Sequence, residues 1–214
     1  AVVGAIIYSL LVALLLNMKI WGRTIFRSIF FIPYLLPAIG VYKGWQWLYE
    51  GNFGLFNFVL RMLGMKPQRF LDSPSQVVPS LVVIAIWTSG NLIVVFLAGL
   101  QNVPRVYMEA AEIDGANAFQ LFFRVKLPLL TPTIFYVLVI KTIHCFQVFE
   151  EPYLLTKGGP GDYTRSIALY LYDSAFVNFD MGYASVIAVV LFTVTMIVTL
   201  LLLYSQKKWV CYDT

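Results

Sequence analysis

Charge, histidine and cysteine are all scarce in this chain of 214 residues: charged residues make up 12%, the one histidine is His144, and the only cysteines are Cys145 and Cys211. A single histidine leaves a zinc site or a His-based triad short of ligands or bases. His144 and Cys145 are adjacent, and neighbours on a helix point about 100° apart, so they do not form a nucleophile and its base. The two cysteines fall at different depths of the pattern described below and suggest neither a pair nor a metal clip. No G-x-x-x-x-G-K-[ST] run occurs, so the chain has no evident loop to cradle ATP. These absences argue against an enzyme.

Apolar sequence is abundant instead. Hydrophobic residues make up 60% of the chain, where soluble domains sit nearer one half, so the chain reads as a membrane protein. Its net charge of +4 comes from basic residues placed beside apolar segments and not along a polar stripe, which points to membrane orientation and not to nucleic acid. The first apolar segment, residues 1–16, starts without an initiator Met or a basic signal-peptide start. It is short of the roughly 20 residues that cross a bilayer, so a preceding segment is expected. Asn17 to Arg27 carries Lys19, Arg23 and Arg27 with no acid, as cytoplasmic loops do. A second span is expected over 28–49, kinked by Pro33 and Pro37 and marked at its outer end by Trp45, Trp47 and Tyr49, with Lys43 snorkelling. Spans three, four and five are expected over 77–100, 129–149 and 182–204, the last ending at Lys207 and Lys208 on the cytoplasmic side. Between them, 50–76 reads as an outer loop with a short helix over 55–63. Residues 151–181 read as a second outer segment, with the turn cluster Thr156 to Gly161 and a surface helix over 167–176.

The stretch Pro104 to Pro128 is amphipathic and separates spans three and four. Pro104 suits a first helical turn, and Gly115 suits the end of that helix because it takes φ > 0 at little cost. Asn117 is the expected N-cap of a second short helix, with Phe119, Phe122 and Phe123 on one face. Pro128 is expected to reset the backbone. Glu109 and Glu112 rise from a slim surface of Ala110, Ala111 and Ile113, with Asp114 next to Gly115. Such a ridge fits either a groove on another protein or the lipid headgroups.

The run EAAEIDGANAFQLFFRVKLP resembles the signature loop of permease subunits in binding-protein-dependent ABC importers, through Glu109, Ala110, Ala111, Gly115, Leu127 and Pro128; Val125 stands where those families usually have isoleucine. Gly22-Arg23 with Arg27, Phe31 and two prolines, the Phe149 to Pro160 stretch with Thr-x-Gly-Gly-Pro, and Gly182-Tyr183-Ala184 extend the likeness to the sugar-permease branch over almost the whole chain. The resemblance implies an all-α polytopic bundle of the type I ABC importer permease fold, as one transmembrane domain over 1–214. Five spans are visible, with the family's first span lying before Ala1. It also implies a cytoplasmic loop over 101–130 seated in a cleft of a separate ATPase through Glu109, Ala110, Ala111, Glu112, Asp114 and Gly115. The implied assembly pairs the chain with a second permease subunit, two ATPase subunits that hold ATP and Mg, and an extracytoplasmic solute-binding protein, in a prokaryotic cytoplasmic membrane with the C-terminus inside.

For the route itself, polar groups within spans need partners or a water-filled cavity. Thr88, Ser89, Gly90 and Asn91 interrupt span three, and Lys141, His144 and Gln147 recur every three residues along span four, ahead of Glu150 and Glu151. Asn91, Lys141, His144, Gln147 and Glu150 are therefore the expected pathway residues for a sugar or polyol, with Tyr136 or Phe146 beside them. A phosphorylated solute would draw on Lys141. Helix-to-helix bonding is the structural alternative for these groups. An ion-coupled secondary transporter with Lys141, His144 and Glu150 as a proton relay is the alternative function, but it has no use for the signature loop and would usually carry an internal repeat.

Overall fold

The computed structural model describes residues 1–18 and 21–211, with Arg105 described by its backbone alone. Its elements are α1 (Val2–Asn17), α2 (Arg23–Leu35), α3 (Ala38–Leu48), α4 (Leu55–Met62), α5 (Pro74–Trp87), α6 (Gly90–Asn102), α7 (Arg105–Ile113), α8 (Ala118–Leu121), α9 (Leu127–Leu129), α10 (Thr131–Phe146), α11 (Ile167–Tyr172) and α12 (Met181–Ser205). π-helical turns occupy Phe122–Lys126, Pro152–Thr156 and Asp173–Val177. No strand occurs among the described residues.

The five expected spans are present as segments, but among the described residues only α12 is by itself long and apolar enough to cross a membrane. Three more reach that length only as pairs, α2 with α3, α5 with α6, and α8–α9 with α10, while α1 is a shorter apolar helix. The kink expected in span two is a full break: α2 runs through Pro33, and the chain then turns extended at Pro37 (φ −55°, ψ 129°). Proline disfavours helical backbone at the residue before it, which here is Leu36. The polar interruption of span three is also a break. Thr88 closes α5, its hydroxyl donating to the Ile84 carbonyl at 3.0 Å, a back-bond that competes with the helical ladder.

Span four departs further from expectation. Pro128 does not reset the backbone; helix continues from Ala118 through Leu129, and the break falls at Leu130, where the axis bends by 61° into α10. The π-turn ahead of the proline explains this. Its Leu127 N–H donates to the Phe122 carbonyl, five residues back, which shifts the carbonyl register just where the proline lacks a donor and its ring would clash.

The residues divide into two compact units. One comprises Leu35–Thr88 and Ile143–Ile197. Its core gathers Val41, Tyr42, Trp45, Tyr49, Ile84 and Leu155, with Trp45 and Tyr49 ring centroids 5.3 Å apart and both near Phe56. The other comprises Val2–Tyr34, Ser89–Thr142 and the chain from Val198 on. There α1 turns a stripe of Ala5, Ser9, Val12, Ala13 and Leu16 inward and packs along α6, which buries Leu92, Ile93, Phe96, Leu97 and Leu100. Small residues at such spacing let helices approach closely where lipid supplies no hydrophobic drive. On another side of α6 a Cβ at Gly90 would lie 2.6 Å from the Phe30 carbonyl oxygen of α2.

Candidate functional site

The link between α7 and α8 is short and fully bonded. Asp114 caps α7, Gly115 follows at φ 78°, the Ala116 N–H donates to the Ala111 carbonyl at 2.9 Å and the Gly115 N–H to the Glu112 carbonyl at 3.0 Å. This pair of bonds is a Schellman motif, which needs the left-handed residue that glycine supplies. One residue on, Asn117 caps α8: its side-chain oxygen accepts from the Gln120 N–H, and the Gln120 side chain accepts from the Asn117 N–H, both at 2.9 Å. The two helices are thus joined by back-to-back capping motifs.

Among the described side chains of α7, Val106 to Ile113, none is buried. Val106 is 72% exposed, Ile113 86% and, on α8, Phe119 70%. The Phe119 and Phe123 rings lie 4.4 Å apart and Phe123 stands edge-on to Phe122, so the expected aromatic face is formed. Glu109, Ala110, Glu112, Asp114 and Gly115 are exposed and Ala111 half-buried, with no ion pair to these acids among the described residues. An amphipathic helix that exposes large apolar side chains and carboxylates together is complementary to a surface with both an apolar pocket and basic groups.

The expected pathway residues are placed as follows. Asn91 sits in the first turn of α6, half-buried. Lys141 and His144 lie one turn apart on α10, the lysine half-buried and the histidine exposed. Gln147 falls just past the end of α10, its N–H closing onto the Ile143 and His144 carbonyls, and Glu150 opens the next helical stretch. Tyr136 is exposed and Phe146 half-buried on α10.

Sequence reasoning passed over three groups. Glu151 is buried and hydrogen-bonded to Tyr42 of α3; its only sequence signal was its place next to Glu150. Asn57 is fully buried and ties the 50–68 loop together, donating to the Glu50, Gly51 and Gln68 carbonyls and accepting from the Gln68 N–H at 2.7 Å. Nothing in the sequence distinguished it. Glu50 accepts from the Phe53 N–H at 2.6 Å and the Asn52 N–H at 2.7 Å, and these bonds, that from Phe53 foremost, hold its carboxyl below the usual carboxylate range. The Thr-x-Gly-Gly-Pro turn is fixed by Thr164, whose hydroxyl donates to the Gly159 carbonyl at 2.8 Å and pairs with the Thr156 hydroxyl at 2.7 Å.

An all-helical membrane chain whose spans are mostly broken, with a bare amphipathic helix pair between two of them, is the architecture of a transport permease. The chain belongs to the family described as "Binding-protein-dependent transport system inner membrane component", whose model matches residues 5–210. It is 38% identical over 212 residues to "Probable ABC transporter permease protein YesP" of Bacillus subtilis (strain 168), covering 97% of this chain and 68% of that protein. It is 37% identical over 198 residues to "Trehalose/maltose transport system permease protein MalF" of Thermococcus litoralis, covering 92% of this chain and 67% of that protein. The chain spans roughly two thirds of the length of these relatives. A chain of a bacterial alginate ABC transporter, crystallised with its alginate pentasaccharide-bound periplasmic protein, superposes with a TM-score of 0.87 at 24% identity, over 98% of this chain and 74% of that one, and so shares the fold.

Proposed function

We propose that the chain is the translocation subunit of an ATP-driven importer for a sugar or related polyol, and that α7 with its Gly115 turn is the element that couples it to a separate ATPase. The observation that carries this reading is the unburied α7, held in one orientation by the Schellman turn and the Asn117 capping box while its Ile113, Glu109 and Glu112 stay open to a partner. A rigid joint with a bare face suits the passing on of a partner's movement. In this reading the α7–α8 loop and the C-terminus are cytoplasmic, ATP and Mg belong to two partner ATPase subunits, and a second permease subunit completes the route. An extracytoplasmic binding protein delivers the solute to the segments 50–76 and 151–181. Relatives named for trehalose, maltose and multiple sugars support the solute class. Asn91, Lys141, His144, Gln147 and Glu150 remain the proposed pathway residues.

Uptake and solute-stimulated ATP hydrolysis by the reconstituted assembly test the coupling assignment. Gly115→Val, which forces a β-branched residue to positive φ, and Glu109→Lys, which reverses the ridge's charge, are each expected to lower coupled uptake by about tenfold or more while the chain still inserts. If both variants transport at the parental rate, α7 is not the coupling element.

A further inference from the structure

The bend between α9 and α10 has a cause in the local sequence and a support from a distant part of the chain. Pro132 follows Pro128 by one helical turn. The N–H that would close on the Pro128 carbonyl in an unbroken helix is therefore missing, and the Pro132 ring crowds that carbonyl. The Thr131 hydroxyl takes over the bond, donating to the Pro128 carbonyl at 2.6 Å. The same oxygen accepts from the Cys211 N–H at 2.9 Å, across 80 residues of sequence. A relay from the Cys211 N–H through the Thr131 hydroxyl to the Pro128 carbonyl thus crosses the joint, and each bond orients the next.

A second contact comes from the same distant segment. Trp209 stands edge-on to the buried Phe135, one turn further along α10, with ring centroids 5.9 Å apart and planes at 74°, a favourable geometry for an aromatic pair. The segment is itself closed on α12: a tight turn over Gln206–Lys208 follows that helix, and the Trp209 and Val210 N–H groups both donate to the Gln206 carbonyl. At the apex of the bend Leu130 is fully buried. Helix α6 comes close there, since a Cβ at Gly99 would lie 3.2 Å from Leu130 Cδ2 and 2.7 Å from Thr133 Oγ1. All of these groups belong to the unit of Val2–Tyr34, Ser89–Thr142 and the chain from Val198 on.

We infer that the segment Gln206–Cys211 is a brace for the joint between α9 and α10, with Thr131 and Trp209 as positioning residues that carry the movement of α7 through the bend into α10. Proline has removed an axial bond at this point, and a bent helix passes on a displacement only where something else fixes its angle. The inference rests on the coupling reading and adds to it the part of the chain that keeps the bend from yielding.

Thr131→Val keeps the outline of the side chain and removes the hydroxyl, whereas Thr131→Ser keeps the hydroxyl. Amide exchange on the reconstituted assembly in lipid nanodiscs reads the brace directly. In Thr131→Val the Cys211 amide is expected to exchange about tenfold faster, the scale of one hydrogen bond lost, with the Val210 amide unchanged. In the parent, Cys211 should be equally protected with and without ATP. Solute taken up per ATP hydrolysed should fall about threefold or more in Thr131→Val and in Trp209→Ala at an ATPase rate within about twofold of the parent, and should return in Thr131→Ser and Trp209→Phe. Parental uptake per ATP in the Thr131→Val, Trp209→Ala double variant overturns the inference. So does equal loss in Thr131→Ser, a fall of uptake, hydrolysis and yield together, which marks a contact needed only for folding, or loss of Cys211 protection when ATP binds. If Gly115→Val loses uptake and Thr131→Val does not, the brace fails alone; if Gly115→Val also transports at the parental rate, the coupling reading fails and the brace's part in it falls with it.

Discussion

Helices α6 and α7 follow one another in the chain and are built for opposite ends. The first buries Leu92, Ile93, Phe96, Leu97 and Leu100, and the second buries none of its described side chains, Val106 to Ile113. Each has a glycine near one end that resists replacement, for different reasons. At Gly90 the obstacle is a neighbour, the Phe30 carbonyl 2.6 Å from where a Cβ would stand. At Gly115 no atom lies within 4 Å of that position, and the obstacle is the backbone itself at φ 78°. Space limits the packed region and torsion limits the open one. A mutation in the first should therefore damage the fold, and one in the second should damage what the folded chain does.

The most severe expected loss is at Gly90. Gly90→Ala, the smallest possible addition, is expected to cut the yield of monodisperse permease by about tenfold, since neither backbone can yield without disturbing the packing around it; normal yield would erase the contrast. At Gly115 the order of severity inverts with chemistry and not with size. Gly115→Asn should keep coupled uptake within about twofold where Gly115→Val loses it, because asparagine tolerates the left-handed region. Equal loss in both would mean that the turn needs glycine for close approach to a partner.

Smaller effects belong to the 50–76 loop, where the packing of Phe56, Phe70 and Leu71 on the core is joined by bonds from polar groups. Asn57→Ala strands the Gln68 N–H and carbonyl and should cost about 1–3 kcal/mol of local stability, read as faster amide exchange at Gln68 with α6 unaffected. The smallest effect is set by pH. The folded Glu50 carboxyl lies below its ordinary value of 4.5, so its contribution to loop order is present above pH 4.5 and is lost as pH falls through the lower folded value. Amide exchange at Asn52 and Phe53 should accelerate over that acid range, and Glu50→Gln should remove the dependence.

Uniform chemistry was legible in the sequence and compensation between neighbours was not. The fifth span was expected over 182–204 and is Met181–Ser205, because no charge or proline interrupts it and the hydroxyls of Ser185, Thr193 and Thr195 donate to carbonyls four residues back within the helix. The helix expected over 55–63 is Leu55–Met62, and the Gly115 turn and Asn117 cap were readable because each needs a particular residue. The passage through Pro128 and the role of Asn57 were hidden for a shared reason. Each depends on which carbonyl lies opposite a given donor, and a hydropathy pattern carries no such register. The π-turn ahead of Pro128 is the clearest case, since no residue in Phe122–Lys126 calls for it.

The joint at Gly115 has a mechanical side. Four hydrogen bonds flank it within ten residues of chain, two closing α7 and two opening α8, and helix then runs on without a stop to Leu129. A load applied at Glu109 meets no slack before Leu130. The stretch behaves as a cranked lever with a welded elbow, and the first place where it can give is the bend into α10.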